Sequence, residues 1–115
     1  MSIITHISKI KGNFSSDNGN WVHYIKDHRN FILKNSTNTP ISKEDMRVYQ
    51  YRPEALFKFL GFEISMSWII LWINQVTSIL DFTDIESLKI PPLDLISELY
   101  RSFNTFQANV ENLLV

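Results

Sequence analysis

The residues that come nearest to a chemical constellation are His6, His23 and His28, and an acidic loop holding Asp81, Asp84 and Glu86. His23 and His28 stand five apart, which puts them on different faces of a helix, and no carboxylate pair completes a ligand set. Asp27-His28 beside a serine sketches a triad, but there is no nucleophile elbow to present that serine. The acidic loop has spacing 1, 4, 6 and lacks the central glycine of a calcium loop, so it reads as solvated or as a salt-bridge surface. Only three glycines occur, and they form no phosphate-cradling run. With no cysteine, a disulfide scaffold, a thiolate metal site and a Cys nucleophile are all excluded. Trp68 and Trp72 lie one turn apart on one helix face, where aromatics can stack on sugars. Inside an apolar run they read as core, whereas Trp21 is free to anchor an interface. The expectation is no catalysis, no metal and no cofactor.

These residues need a scaffold, and the chain is short. Its 115 residues suit one compact unit of modest stability. Eleven Lys+Arg against twelve Asp+Glu give a net charge of −1, unlike a dedicated nucleic-acid binder. A hydrophobic share of 44% and an aromatic share of 13% exclude a disordered chain. The balance conceals a split: residues 1–52 carry eight bases and four acids, residues 53–115 three bases and eight acids. Such a dipolar chain can pair with copies of itself or with charged neighbours, or its halves can face each other or water. Met1 to Ile10 has no long apolar region of the targeting type. The longest apolar stretch, Trp68 to Ile73, is six residues, against about 20 for a membrane span. A soluble protein with no membrane partner is expected.

Residues 3–10 are β-rich and predict a short strand or arm. Gly12 to Asn20 reads as a loop. Trp21, Tyr24, Ile25, His28, Phe31 and Ile32 recur at helical spacing and predict a helix over 21–34, capped by Asn20 and ended by Asn35 in the left-handed region. Phe31-Ile32-Leu33 also suits a strand. Residues 35–40 read as a loop. Val48-Tyr49-Gln50-Tyr51 predicts a strand, with Tyr49 and Tyr51 on one face. Pro53 and Glu54 suit a helix start, Ala55, Leu56, Phe59 and Leu60 its buried stripe, and Gly61 its end. Ser65 is placed to cap a helix from Met66 to about Val76, apolar all round and therefore central, with Asn74 ending the apolar run. A loop over 77–86 leads to a strand, Ser87-Leu88-Lys89-Ile90, stopped by Pro91-Pro92.

The last segment, starting at Pro92 or Asp94, places Ile96, Leu99, Phe103, Phe106, Val110 and Leu113 at spacings 3, 4, 3, 4, 3. That is a heptad seam, suited to a partner or to the chain's own core. Because a core helix is already present, the expectation is a partner interface. Six large side chains at about 1.5–3 kcal/mol each when fully buried can offset the cost of association.

The stretch 47–91 thus reads β-α-α-β. Four motifs carry a resemblance: Tyr51-Arg52-Pro53-Glu54-Ala55-Leu56, Phe59-Leu60-Gly61, the run Trp68 to Asn74, and Leu88-Lys89-Ile90-Pro91. In this order they resemble the LysM-like domain, and more narrowly the LysM-like baseplate wedge proteins of contractile-tailed bacteriophages. About 45 of the 115 residues are covered. The resemblance implies an α+β fold with a LysM-like unit at 47–91, flanked by an N-terminal arm and helix at 1–46 and a C-terminal docking helix at 92–115. It also implies a LysM-like core of Leu56, Leu60, Trp68, Trp72, Asn74, Leu88 and Ile90. The function implied is that of a structural virion protein in the tail baseplate, hetero-oligomeric and bound to other tail and baseplate proteins, with no nucleic acid. The alternative is a carbohydrate-binding LysM module for N-acetylglucosamine-containing cell-wall polymers. The sequence departs from the pattern in lacking Gly before the exit strand and a Gly-Asp or Gly-Asn turn in 62–67. Arg52 in the loop before the first helix and Ile79, Leu80 and Phe82 in the loop after the second suit a protein contact better than a sugar.

Overall fold

The computed structural model describes residues 14–114, with side chains through Asn109. The strand or arm expected at 3–10 lies outside the described residues, as do the side chains of Val110 and Leu113. Among the described residues the chain is α+β, with six α-helices, a two-stranded antiparallel sheet and a long C-terminal helix. The order is α1 (Gly19–Asp27), α2 (Arg29–Asn35), β1 (Thr37–Pro40), α3 (Lys43–Tyr49), α4 (Pro53–Phe59) and α5 (Ser67–Ile73), then β2 (Ser87–Ile90) and α6 (Leu93–Leu114). Single 3-10 turns, Ile64–Met66 and Ile79–Asp81, precede and follow α5.

The expected helix over 21–34 is two helices. Asn18, not Asn20, caps α1, its side chain accepting from the amides of Asn20 and Trp21 at 3.1 and 3.4 Å. The helix breaks at His28, whose ring Nδ1 lies 2.7 Å from the Tyr24 carbonyl oxygen. Buried Trp21, Ile25 and Ile32 stay on one side, so the apolar period runs through the break. Asn35 is the last helical residue rather than a left-handed cap, and its amide donates to the Phe31 carbonyl at 2.8 Å.

The larger correction concerns the first strand. Val48 and Tyr49 close α3 instead of forming a strand, and Tyr49 and Tyr51 do not share a strand face. The reason is local. Ser42 caps the helix by accepting from the Asp45 amide at 3.0 Å, acidic Glu44 and Asp45 occupy its positive end, and Met46 is buried. The partner of β2 is Thr37–Pro40, a stretch that reads as loop, in the register Thr37↔Ile90, Asn38↔Lys89, Thr39↔Leu88 and Pro40↔Ser87. Three helices therefore separate the strands, and position 47 falls inside α3.

From Pro53 onward the expectations hold better. Pro53 starts α4, and Gly61 follows it at φ 85. The Gly61 and Phe62 amides donate to the carbonyls of Lys58 and Phe57, at 3.1 and 2.9 Å, the pairing of a Schellman end. The same motif ends α5, with Asn74 as C-cap and Gln75 in the left-handed position at φ 61. There the Gln75 and Val76 amides donate to Trp72 and Leu71 at 3.0 and 2.9 Å. The start of α5 differs from the Ser65 cap, because the chain enters through the turn Ile64–Met66 and the helix begins at Ser67.

Helix α5 is apolar all round because it divides two cores. Ile69 and Ile73 join Phe14, Trp21, Ile25, Ile32, Met66, Ile96, Leu99 and Phe103 on one side. Ile70 joins Ile41, Met46, Leu56, Phe57, Phe82, Leu88 and Ile90 on the other. This corrects the reading of the C-terminal seam. Ile96, Leu99 and Phe103 are 0%, 7% and 3% exposed within the chain's own core, so they are not free for a partner. The physical reason is that α1 and α5 leave an open aromatic face, and the first half of α6 closes it. Trp21 meets Phe103 and Tyr100 with ring centroids 5.5 and 5.1 Å apart.

Candidate interaction surface

The residues expected to form one LysM-like core are shared between the two. Leu56, Leu88 and Ile90 are buried in the second core with Leu60 at its edge, while Trp68 and Trp72 pack on the first. Trp68 and Trp21, both indole N–H donors, converge on the Phe14 carbonyl at 2.6 and 3.1 Å. Trp21 is fully buried, so it is a core residue rather than an interface anchor.

Asn74 binds the two elements of this region together. Its amide nitrogen donates to the carbonyls of Ile70 and Lys89 at 2.7 and 2.8 Å, and its oxygen accepts from the Lys89 amide at 2.7 Å. The side chain thus imitates a neighbouring strand on one edge of β2 while β1 covers the other. Position Asn74 is set by the end of α5, and the motif ends in Asn because an amide carries both donor and acceptor.

Two loops meet beside this framework. Between α3 and α4 the chain turns with Gln50 at φ −55, ψ 140 and Tyr51 at φ 63, closed by the Arg52 amide donating to the Tyr49 carbonyl at 2.9 Å. This is a type II arrangement, whose third position normally holds Gly or Asn. Tyr51 also donates its amide to the Phe82 carbonyl at 2.8 Å, and the Thr83 hydroxyl donates to Gln50 Oε1 at 3.3 Å. Those bonds tie the turn to the loop over 77–86. Of the three bulky residues in that loop, Phe82 is buried against Phe57, edge to face at 6.0 Å. Ile79 and Leu80 are 58% and 70% exposed. Val48 and Phe59 are exposed as well, with Tyr49 against the Phe59 ring at 5.4 Å and the Arg52 guanidinium 5.8 Å from the Tyr49 ring centre.

Sequence reasoning found Arg52, Ile79 and Leu80 but missed Val48 and Tyr51, and it placed Phe59 in the buried stripe of α4, where Phe57 turns inward instead and Phe59 is 59% exposed. A signal was present at Tyr51: proline at 53 forces Arg52 out of the helical region, so the chain has to turn just before it. A second exposed surface is the outer half of α6. Past Phe103 no described side chain of that helix is buried, and Phe106 is 56% exposed beside Tyr24 and His23 of α1.

Among the described residues the ion pairs are His23–Asp27 at 3.6 Å and Glu98–Arg101 at 3.0 Å, each within one helix and exposed, where such pairs contribute little. None of these joins residues 1–52 to residues 53–115. Among the described residues no three His, Asp or Glu side chains converge as a metal set, and no helix is long and apolar enough to cross a membrane. The chain matches no family model, no curated protein and no solved structure.

Proposed function

We propose that the chain is a structural protein of a phage tail baseplate, a wedge subunit that joins neighbouring baseplate proteins through protein–protein contacts and performs no catalysis. The observation that carries the reading is Tyr51. A bulky aromatic occupies a left-handed turn position that glycine would fill with less strain, and its side chain stays 47% exposed beside a loop presenting Ile79 and Leu80. Strain retained at a surface position points to a task for the side chain. Exposed apolar residues on two loops joined by hydrogen bonds suit a protein contact. The order of the four motifs supplies the baseplate context.

Two measurements test the reading. Antibody labelling of intact particles made by the genome that encodes the chain is expected to mark the tail baseplate; label elsewhere, or none, overturns it. Purified protein mixed with peptidoglycan or chitin is expected to stay in solution. Retention that is lost in Ile79→Asp and Leu80→Asp would favour the carbohydrate-binding alternative.

A further inference from the structure

A cleft of about 370 Å³ lies between α3 and the arch that leads into β2. Two backbone hydrogen bonds build it. Ahead of α3, the Ile41 amide donates to the Glu86 carbonyl at 2.8 Å; beyond α3, the Tyr51 amide donates to the Phe82 carbonyl at 2.8 Å. Helix and arch are pinned at both ends and bow apart between the pins. Asp84, at the crown of the arch, takes φ 57, which non-glycine residues rarely adopt. The cleft is therefore part of the fold and needs no rearrangement to open.

Its lining is ordered by charge. Buried Ile41 and Met46 and half-buried Ile85 form the floor. Exposed Lys43 and Arg47, one turn apart on α3, form a basic rim, and exposed Asp84 and Glu86 an acidic rim. No ion pair closes the cleft, since the pairs among the described residues lie elsewhere. The volume is at the lower end of the usual range for ligand sites, about 300–1,000 Å³. It has room for a few side chains, not for a folded surface. No aromatic ring lines it, so a sugar face would find nothing to stack on.

We propose that this cleft receives an extended peptide segment of a partner protein, crossing it with an acidic side chain over Lys43 and Arg47, an apolar side chain on the floor, and a basic side chain over Asp84 and Glu86. Opposite rims reject a segment of one charge sign and reward one carrying both. The proposal holds whether or not the partner belongs to a baseplate, and it concerns a different surface from Ile79 and Leu80.

The test is a titration of the full chain, followed by the methyl resonances of Ile41, Met46 and Ile85. The probe is the blocked tripeptide Ac-Glu-Leu-Lys-NH2, with Ac-Gln-Leu-Gln-NH2, Ac-Lys-Leu-Lys-NH2 and N,N′,N″-triacetylchitotriose as comparisons. Saturable shifts are expected with the first probe at millimolar concentration, with affinity at least about tenfold higher than for the others. Added salt is expected to weaken binding by screening the exposed rims. The exposed double variant Lys43→Glu/Arg47→Glu is expected to lose the first probe and gain the doubly basic one. Equal response to the neutral peptide, a response to the sugar alone, or no saturable shift of these methyls overturns the proposal.

Discussion

The two sides of α5 are held by different means. On the side of Trp21, segments far apart in sequence meet through rings: Phe14, Trp21, Tyr24, Tyr100 and Phe103 interlock at centroid distances of 5.1 to 6.3 Å. On the side of Leu56, one ring pair, Phe57 against Phe82, sits among aliphatic side chains, and polar bonds tie the loops and β2 to it, through the Ile41 and Tyr51 amides and the Asn74 side chain. The first side rests on a larger ring cluster, the second on fewer rings and more backbone pairing. A single helix serves both, so damage to either side should be felt by the whole chain.

The largest test of that contrast is Trp21→Ala, which empties the ring cluster. It is expected to cost about 3–5 kcal/mol in urea unfolding followed by circular dichroism. Next come Ile69→Ala and Ile70→Ala, neighbours that face opposite cores. Each is expected to cost about 2–5 kcal/mol and to leave one cooperative transition. Two separate transitions would mean that α5 does not couple the sides. On the polar side, Asn74→Ala removes the bonds to Ile70 and Lys89 at an expected cost of about 1–3 kcal/mol. Its signature is a larger rise in hydrogen exchange at the Lys89 amide than at residues around Trp21.

Two substitutions should run the other way. Tyr51→Gly relieves the left-handed turn and is expected to raise stability by up to about 1 kcal/mol, while weakening the protein contact proposed for this surface. No gain in the unfolding midpoint would remove the argument from strain. Smallest is Ser67→Ala. The Ser67 hydroxyl is buried and has no hydrogen-bond partner among the described residues, so its loss is expected to be neutral or slightly stabilising.

Much of the central framework was legible because its signals are local. Proline at 53, glycine at 61 and asparagine at 74 each do what their backbone or side-chain chemistry dictates, and an apolar run from Trp68 to Ile73 has to be enclosed. The first strand was not legible. Thr-Asn-Thr-Pro shows no apolar alternation, and three of its four residues are exposed; it is a strand only because β2 lies beside it. The β-rich look of Val48 to Tyr51 gave way to the Ser42 cap and to Met46, which together favour a helix one turn earlier. For the seam, periodicity identified the residues correctly but could not say what they face. That depends on where α1 leaves its aromatic surface, which no spacing within α6 encodes. The candidate surface was legible at Ile79 and Leu80 and not at Tyr51, whose role rests on a backbone angle.

The carbonyl of Phe14 has a consequence for optics. Two of the three tryptophans, Trp21 and Trp68, donate their indole N–H groups to this one oxygen, while Trp72 takes no part. Intrinsic fluorescence of the chain is therefore weighted toward a single anchoring point. A shift in emission with no change in helical signal will report that Phe14 has left its seat in the first core before the helices unfold, without a label of any kind.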